Sequence, residues 1–438
     1  MKNHYDVIVA GAGIAGVSAA IAASRAGAST LLVERYGFVG GMSTAGLVSP
    51  FMKYWIQRKH EAAVPLVGGI FEEINLRMAS LGGMLENGFS AAAFKQAVNE
   101  MLSGAGADCA LHSIITNVHR QGNRIVSIEI QNGAERATIG GTVFIDTTGD
   151  ADLVFMSGAP YVKGDEKTGF LQAMTTFFRV GGFDAETAVK DVAEHPDQYY
   201  EWSTKTYEPG RIISIAGYTD IVRRAKERGD LPEAVNYLFF CTLPGTGETS
   251  FNTTNVLGLD GSSSVDLTQA EIEGRRQVMK AFHVIKQECP GFGNSFLIET
   301  GVQIGVRETR RAVGEYAVTG SDVRGGAKFP DAIARGNYGV DIHGQKGEDS
   351  VMEYLEEGEY YEVPLRALIV KEVGNLLTAG RSISSTREGH AALRIQATAS
   401  ATGEAAGVLA SLARMNAGDV RGVPHEDVRK ILHATGNI

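Results

Sequence analysis

The chain has 438 residues, enough for two or three domain-sized units, and its composition is that of an ordinary globular protein apart from 54 glycines. The formal charge of −10, with no dense block of Lys and Arg, argues against binding to nucleic acid or to an anionic membrane. The cysteines Cys109, Cys241 and Cys289 form neither an iron–sulfur spacing nor an even disulfide set, which favours a reducing, cytoplasmic location.

The first predicted unit, residues 5–35, has the order strand, glycine turn, helix and strand. A short β-branched run opens it, and an alanine-rich stretch without proline follows the turn. The turn carries Gly11, Gly13 and Gly16. In such a turn the first glycine permits the tight bend, the second admits a pyrophosphate, and the third lets the helix pack on the strand. Unpaired N–H groups at the start of the helix add a favourable site for phosphate.

An acidic residue at the end of the second strand completes the pattern of a dinucleotide site. Glu34 lies 18 residues after Gly16, where its carboxylate can accept hydrogen bonds from the ribose of an adenosine. Its negative charge argues against a 2′-phosphate there. The alternative for the uncharged residues 7–24 is a membrane span, but these residues are mostly small, and a spanning helix needs about 20 predominantly apolar residues.

The next segments extend this unit. Residues 37–46 lack periodicity and form a glycine-rich loop, which could follow the rest of a bound cofactor. Residues 109–115, 124–131 and 136–138 predict an antiparallel meander, and residues 142–146 predict a buried strand that returns to the parallel sheet. A plain NAD-binding half does not contain such a meander.

The middle of the chain has a different character, and we expect residues 156–360 to form an inserted α+β substrate domain. The cofactor-binding domain would then consist of residues 1–155 and 361–438. Within the insert, residues 302–316 predict a helix that would carry Arg307, Arg310 and Arg311 on one face. Such a face could bind a carboxylate or a phosphate of a substrate, or it could form ion pairs between the domains.

The C-terminal segment returns to a cofactor-binding pattern. A short apolar strand ends at Gly380-Arg381, and residues 391–415 predict one long helix of small residues. Gly403 and Gly407 would each cost this helix about 1 kcal/mol relative to alanine. We therefore expect these glycines to pack against another backbone or a flat ligand, and both ends of the chain to meet around one long cleft.

Several motifs together resemble known flavoproteins. The glycine turn, Gly40-Gly41, IDTTGD (145–150) and AGR (379–381) are similar to the glutathione-reductase-like FAD fold. GVRETRR (305–311), VDIH (340–343), VPLRALI (363–369), NLLTAGRSIS (375–384) and HAALRIQATASATGEAAG (390–407) resemble FAD-dependent oxidoreductases grouped with the flavin part of heterodisulfide reductase. Because the chain lacks the iron–sulfur cysteines of heterodisulfide reductase, a second nucleotide fingerprint and a CxxxxC pair, we expect no electron relay and no disulfide reductase activity.

The resemblance implies an α/β architecture: a glutathione-reductase-like, FAD-binding Rossmann domain with a parallel sheet and a β-meander, and an inserted substrate domain. FAD would be held non-covalently, with the flavin between the loop at residues 40–44 and the segment at residues 380–381. No metal is expected. The cofactor-binding residues that it implies are Gly11, Gly13, Ala15, Gly16, Glu34, Arg35, Gly40, Gly41, Met42, Ser43, Ile115, Thr148, Gly149, Asp150, Gly380, Arg381, Arg394, Ile395 and Ala397.

Hydride transfer to or from flavin also needs a group that moves a proton. His390 is a candidate because it lies just before the C-terminal helix and titrates near neutrality, although a histidine there can also be structural. Arg307 would bind the substrate, and His343 and Tyr361 are further candidates for proton transfer. The N-terminus of a helix over residues 394–406 could stabilise the anionic edge of the flavin.

The sequence therefore predicts an FAD-dependent oxidoreductase that acts on a small, anionic, carboxylate-bearing metabolite, with an unidentified electron acceptor or donor. Two other functions stay open. One is an NAD-dependent dehydrogenase that uses the same fingerprint, and the other is a non-catalytic flavoprotein whose insert binds a partner. Monooxygenase chemistry and a homo-oligomeric state are compatible with the same residues.

Overall fold

The computed structural model describes residues 1–59, 61–344 and 351–438. Its strands are β1 (His4–Ala10), β2 (Thr30–Val33), β3 (Trp55–Ile56), β4 (Val64–Pro65), β5 (Met84–Leu85), β6 (Gly88–Phe89), β7 (Asp108–Ala110), β8 (Ile114–Gln121), β9 (Arg124–Asn132), β10 (Glu135–Asp146), β11 (Tyr161–Lys163), β12 (Phe178–Gly181), β13 (Ser214–Gly217), β14 (Leu238–Thr242), β15 (Thr249–Phe251), β16 (Phe296–Thr300), β17 (Arg310–Ala312), β18 (Ala332–Gly336), β19 (Val340–Ile342), β20 (Val351–Glu353), β21 (Tyr361–Pro364) and β22 (Leu376–Thr378). Its α-helices are α1 (Ile14–Arg25), α2 (Gly69–Ser80), α3 (Ala91–Ala105), α4 (Asp152–Met156), α5 (Ala185–Glu194), α6 (Thr219–Glu227), α7 (Ser264–Glu288), α8 (Gly320–Arg324), α9 (Arg387–Leu393), α10 (Gln396–Ala413) and α11 (His425–Thr435).

The main sheet has the strand order β7-β2-β1-β10-β9-β8, and β22 pairs with the C-terminal half of β10. Strands β7, β2, β1, β10 and β22 are parallel, whereas β8, β9 and the first half of β10 form an antiparallel meander. Strands β2 and β22 are wholly buried and β1 is largely buried, as expected for a sheet covered on both faces, whereas the edge strand β7 exposes Asp108 and Cys109. The predicted Rossmann-type α/β fold with a parallel sheet is thus confirmed.

Two details of the predicted meander differ from the structure. Residues 136–138 and 142–146 belong to one continuous strand, β10, which pairs with β9 at its start and with β1 at its end. The short strand β7 is not part of the meander, because it pairs in parallel with β2. Gly140 and Gly141 lie where β10 changes partners, and the strand passes through them without a turn.

Helix α10 packs directly against α1, which explains the glycines predicted to make a close contact. A Cβ on Gly403 would lie 2.1 Å from the carbonyl oxygen of Ala15, and one on Gly407 would lie 2.2 Å from that of Ala19. The two backbones therefore touch, as expected. No helix in the described parts of the chain is long and apolar enough to cross a membrane.

The C-terminal helix is shorter than predicted. Residues 387–393 form the separate helix α9, and Ile395 has an extended backbone immediately before α10. His390 therefore lies inside α9, and the N-terminus of α10 is at Gln396 rather than at Arg394. This break places two helix ends beside each other at residues 394–396.

A second sheet, β13-β14-β15-β12-β16, packs with α5, α6 and α7 around its own core. The predicted helix over residues 302–316 is wrong. Its apolar residues Val302, Ile304 and Val306 alternate instead of following a helical period, and Gly305 bridges to Thr175 as in a sheet. Residues 310–312 of this segment form β17, which pairs with β11, so the three arginines do not share a helical face.

The core beneath α1 and α10 includes residues from the middle of the chain. Val318, Val323, Ile333 and Val340 are buried in this core, whereas the second sheet has a separate one. The division of the chain at residues 155/156 and 360/361 stays a prediction.

The contact between α1 and α10 leads to a stability prediction. We expect Gly403→Ala to lower the free energy of unfolding by about 1–3 kcal/mol, because the added methyl overlaps the Ala15 carbonyl and forces the helices apart. Gly104→Ala is the matched control, because no atom lies within 4 Å of its added methyl in α3, and it should stabilise by up to about 1 kcal/mol. Urea-induced unfolding of both variants measures the difference. Equal shifts in the two midpoints would contradict the backbone contact.

Candidate active site

The glycine turn between β1 and α1 forms one wall of a long cleft. Gly11 has φ of +89°, and its added Cβ would lie 2.8 Å from the carbonyl oxygen of Thr147. A Cβ on Gly16 would lie 1.8 Å from the carbonyl oxygen of Gly11. Gly13 differs, because its φ is −64° and no atom lies within 4 Å of an added Cβ. Gly11 is thus needed for the turn and Gly16 for the packing of the helix, whereas Gly13 faces open space.

The end of β2 provides a buried carboxylate beside this turn. Glu34 is 5% exposed, and its two oxygens accept hydrogen bonds from the backbone N–H groups of Ala12 (2.7 Å) and Tyr36 (2.9 Å). These bonds fix the carboxylate and leave further lone pairs free for a hydroxyl ligand. The side chains of Arg35 and Tyr36 both donate to the side-chain oxygen of Gln303.

The loop after β2 lies on the glycine turn. Gly40 and Gly41 have φ of +110° and +51°, and the N–H of Gly40 donates to the carbonyl of Ala12 at 2.7 Å. Ser43 donates to the side-chain oxygen of Gln396, the first residue of α10. The loop therefore connects the N-terminal turn to the C-terminal helix.

The C-terminal segment forms the opposite wall. The N–H of Gly380 donates to Thr402 Oγ1 at 3.1 Å, which holds this turn against α10. Arg381 Nη2 donates to Asp150 Oδ1 at 2.7 Å, and Thr309 Oγ1 donates to the same oxygen at 2.7 Å. The expectation that both ends of the chain meet at one cleft is thus confirmed.

Most of the residues predicted to bind the cofactor line this cleft. Those that do are Gly11, Gly13, Ala15, Glu34, Arg35, Gly40, Gly41, Met42, Ser43, Ile115, Thr148, Gly149, Asp150, Gly380, Arg381 and Arg394. Gly16 packs under the turn instead, Ile395 faces a neighbouring cavity, and Ala397 is buried in α10. The sequence patterns did not indicate Tyr36, Ser113, Asp152, Gln303 and Gln396, which also line the cleft.

One of these additional residues, Asp152, has a pKa well above the ordinary value of an aspartate. Burial and the neighbouring carboxylates of Asp150 and Asp146 raise the pKa of Asp152 to about 6, against the effect of Arg310. Arg310 Nη2 donates to Asp152 Oδ1 at 3.0 Å, so the arginine predicted to bind substrate instead pairs with an acid at the edge of the cleft. The side chain of Arg311 is fully buried and pairs with Glu308, so it is not available to a ligand.

A second cavity opens from the cleft and shares four lining residues with it: Met42, Arg381, Arg394 and Gln396. Its walls are largely apolar, with Val48, Pro50, Met52, Phe177, Phe239 and Val306. A cavity with apolar walls and a few convergent polar groups is the usual form of a small-molecule site.

Arg307 is the principal cation of the second cavity. Its Nη1 donates to the carbonyl of Ala173 and to Thr175 Oγ1, both at 2.6 Å, and the ion pairs within the described residues do not include it. Burial and the neighbouring Arg394 lower the pKa of Arg307 to about 10, so it remains charged at neutral pH. Among the described residues, therefore, no carboxylate forms an ion pair with this positive charge, which lines the cavity.

A polar cluster around Asp341 also lines this cavity. Asp341 Oδ2 accepts from Tyr338 Oη at 2.8 Å and from Arg394 Nη2 at 3.0 Å, and Oδ1 lies 3.5 Å from His343 Nε2. Burial alone would raise the pKa of Asp341, but His343, Arg394 and Tyr338 outweigh burial and hold it well below its ordinary value.

The same surroundings keep His343 uncharged. Burial and the charges of Arg307 and Arg394 lower the pKa of His343. Asp341 acts in the opposite direction but does not outweigh them. At neutral pH the cation paired with Asp341 is therefore Arg394. His343 is a neutral imidazole that faces the cavity and can accept a proton.

The other two predicted catalytic residues lie elsewhere. His390 is 1% exposed within α9, and neither ring nitrogen has a partner in the described structure. Burial and the nearby Arg311 and Arg394 hold its pKa well below the ordinary value. Tyr361 is fully buried, donates to the carbonyl of Ala392 at 3.1 Å, and has a pKa raised by burial. Neither residue is among those that line the two cavities.

Comparison with known proteins agrees with this geometry. A profile of the family described as FAD dependent oxidoreductase matches residues 6–432. Digeranylgeranylglycerophospholipid reductase of Picrophilus torridus is 29% identical over 145 residues, which is 31% of this chain and 36% of that protein. The match thus spans about a third of the relative's length.

Solved structures with similar folds have low sequence identity. A flavin-dependent brominase triple mutant gives a TM-score of 0.49 at 12% identity, over 98% of this chain and 84% of the other. A geranylgeranyl bacteriochlorophyll reductase-like protein from Thermoplasma acidophilum gives a TM-score of 0.46 at 13% identity, over 99% and 84%. At these values the similarity indicates nothing about the substrate.

The residues of the cleft fit FAD, the cofactor of the matched family. The open space at Gly13 and the N-terminus of α1 would hold the pyrophosphate, and Glu34 would accept hydrogen bonds from the ribose. The second cavity shares Met42, Arg381, Arg394 and Gln396 with this cleft, so a substrate there would lie next to the space for the cofactor.

The geometry around the glycine turn predicts a selective loss of FAD. Gly13→Val should fold normally, because its backbone is extended and no atom lies within 4 Å of its added Cβ, yet it should fill the space of the pyrophosphate. We expect FAD affinity to fall at least tenfold, or about 1.4 kcal/mol. FAD titration monitored by flavin fluorescence measures this loss, and the melting temperature of the FAD-free protein is the control. Unchanged FAD binding would contradict this placement of the cofactor.

Proposed function

The chain belongs to the FAD-dependent oxidoreductase family, and on that premise we propose that it transfers a hydride between FAD and a small, carboxylate-bearing metabolite. The observation that carries the proposal is the second cavity, which shares lining residues with the cofactor cleft and contains Arg307, a cation with no ion-pair partner in the part of the chain that the structure describes. FAD, when bound, supplies the hydride acceptor or donor. The protein must then bind the substrate, orient it and move one proton.

We assign substrate binding to Arg307. Its Nη1 is held by Ala173 and Thr175, which orients the guanidinium, and the residue lines the cavity. A guanidinium presents paired N–H groups that match the two oxygens of a carboxylate. Because the cavity walls are mainly apolar, such a pair would be shielded from water and strengthened.

Arg394 has a different role, because it already pairs with Asp341. This pair neutralises the acid that would otherwise repel an anionic substrate. Among the described lining residues, the remaining positive charge of the cavity belongs to Arg307 and Arg381, and Arg381 is paired with Asp150. The charge balance therefore favours one carboxylate next to Arg307.

We assign proton transfer to His343. The imidazole is neutral at pH 7, faces the cavity and has its Nε2 3.5 Å from the Asp341 carboxylate. During substrate oxidation it would accept the proton released as the hydride leaves the substrate, and Asp341 would stabilise the imidazolium that forms. In the reverse direction the same imidazolium would donate the proton.

The family assignment settles two of the open alternatives. The cofactor is FAD rather than NAD, and the chain is an oxidoreductase rather than a non-catalytic flavoprotein. We further propose the glutathione-reductase-like subtype, which the meander β8–β10 and the C-terminal β22 support, and kinship with the flavin part of heterodisulfide reductase on the motifs described above. The electron acceptor or donor is a separate molecule.

The role of Arg307 can be tested directly. We expect Arg307→Gln to weaken binding of carboxylic acids by about 1.5–3 kcal/mol, because one charged hydrogen-bonding group is lost from a partly buried site. Anaerobic mixing of the FAD-loaded enzyme with 2-hydroxy, 2-amino and aliphatic acids, followed by flavin absorbance, would identify the substrate. KM should then rise about ten- to a hundredfold with little change in kcat.

Arg276→Gln is the matched control for this experiment. Arg276 is exposed on α7 and pairs with Glu273, so its loss should leave KM unchanged. If no acid in the panel reduces the flavin, or if the two variants behave alike, Arg307 does not bind the substrate.

The protonation state of His343 predicts the pH dependence of oxidation. Because the base must be neutral and its pKa lies below 6.5, kcat/KM should be constant near neutrality and fall only at lower pH. His343→Gln should reduce kcat by about a hundredfold and remove this fall. The exposed His283 provides the control, since His283→Gln should keep the wild-type pH profile. An unchanged profile in His343→Gln would assign the proton transfer to another group.

A further inference from the structure

Four aromatic side chains connect the second cavity to the protein surface. Phe239 lines the cavity, and Trp202 lies edge-on to it with ring centroids 5.7 Å apart. Tyr200 lies 6.1 Å from Trp202 and 5.0 Å from Tyr237. We call Tyr200, Trp202, Tyr237 and Phe239 the aromatic rim.

The outer half of the aromatic rim is unusually exposed for such large rings. Trp202 is 54% exposed and Tyr200 is 44% exposed, although each is in contact with other aromatic residues. A contiguous exposed aromatic patch next to a cavity marks a binding surface more often than a scattered apolar residue does. Its continuity with Phe239 indicates what it would bind, namely a ligand that already occupies the cavity.

The inner half of the aromatic rim lies close to the charged end of the cavity. Burial and the nearby Tyr200 and Asp341 raise the pKa of Tyr237, and Arg307 opposes them. Arg307 and Phe239, the innermost ring of the aromatic rim, line the same cavity. One ligand can reach from the guanidinium, along the apolar wall, to the exposed rings.

We propose that the aromatic rim binds the apolar body of the substrate, so that the substrate is an amphipathic acid. Its carboxylate would pair with Arg307, and a hydrocarbon or aromatic body would pass Phe239 and leave water between Trp202 and Tyr200. This inference rests on the proposed carboxylate site and adds a substrate class to it. A small hydrophilic acid would use Arg307 but leave the rings in water.

Calorimetric titration of the FAD-loaded enzyme with acetate, hexanoate and decanoate tests the proposal without turnover. We expect the affinity to rise about fourfold for each methylene that enters the apolar wall or the aromatic rim. Trp202→Ala should lower the affinity for decanoate at least tenfold and leave the affinity for acetate unchanged. Trp202→Phe keeps a ring in place and should retain most of that affinity.

Two controls sharpen the experiment. Phe296 is 58% exposed on β16 but is not among the residues that line the cavity, so Phe296→Ala should bind decanoate like the wild type. The chain has two tryptophans, so Trp55→Phe leaves Trp202 as the single tryptophan fluorophore. Its emission should change on addition of decanoate and not on addition of acetate.

The outcomes separate the two proposals. If acids bind in an Arg307-dependent way but decanoate binds no tighter than acetate, the aromatic rim has no role and the carboxylate site stands. If Arg307→Gln leaves acetate binding unchanged, the carboxylate site itself is overturned. The comparison of chain lengths in the wild-type enzyme does not depend on any variant folding correctly.

Discussion

The architecture depends on the contact between two helix backbones, those of α1 and α10. Gly403 and Gly407 bring α10 onto the carbonyl groups of Ala15 and Ala19. This approach places the start of α10, at Gln396, beside the loop that carries Ser43. It also holds the turn at Gly380 against the N-terminal glycine turn, where an added Cβ would lie 2.8 Å from that of Ala15. One close contact thus assembles the cleft from segments that are far apart in the sequence.

Local patterns in the sequence predicted the parts of the site that depend on local geometry. The turn at Gly11, the carboxylate of Glu34 and the packing of Gly403 each follow from a short motif with a clear steric reason. Gln303 could not be found in this way, because it reaches Arg35 and Tyr36 across 268 and 267 residues and carries no motif of its own. Residues whose role depends on the backbone of a single turn can be predicted from a motif, whereas residues that act through long-range contacts are found only in the folded structure.

The predictions that the structure does not support also have physical explanations. The prediction of a helix over residues 302–316 placed three arginines on one face, whereas the alternation of Ile304 and Val306 indicates the extended backbone that is observed. The ordinary pKa of histidine favoured His390 as an acid or base, yet burial among arginines makes it a neutral core residue. His343 has the same side chain in a cavity with a carboxylate partner, which is why its surroundings suit proton transfer better.

The ion pair between Arg381 and Asp150 has a consequence for biosynthesis. It joins a residue near the end of β10 to one that the ribosome adds more than two hundred positions later. A nascent chain that has emerged only as far as the meander therefore has a nucleotide turn without its opposite wall. Until α10 is translated, the face of α1 at Ala15 and Ala19 also lacks the helix that covers it in the folded protein.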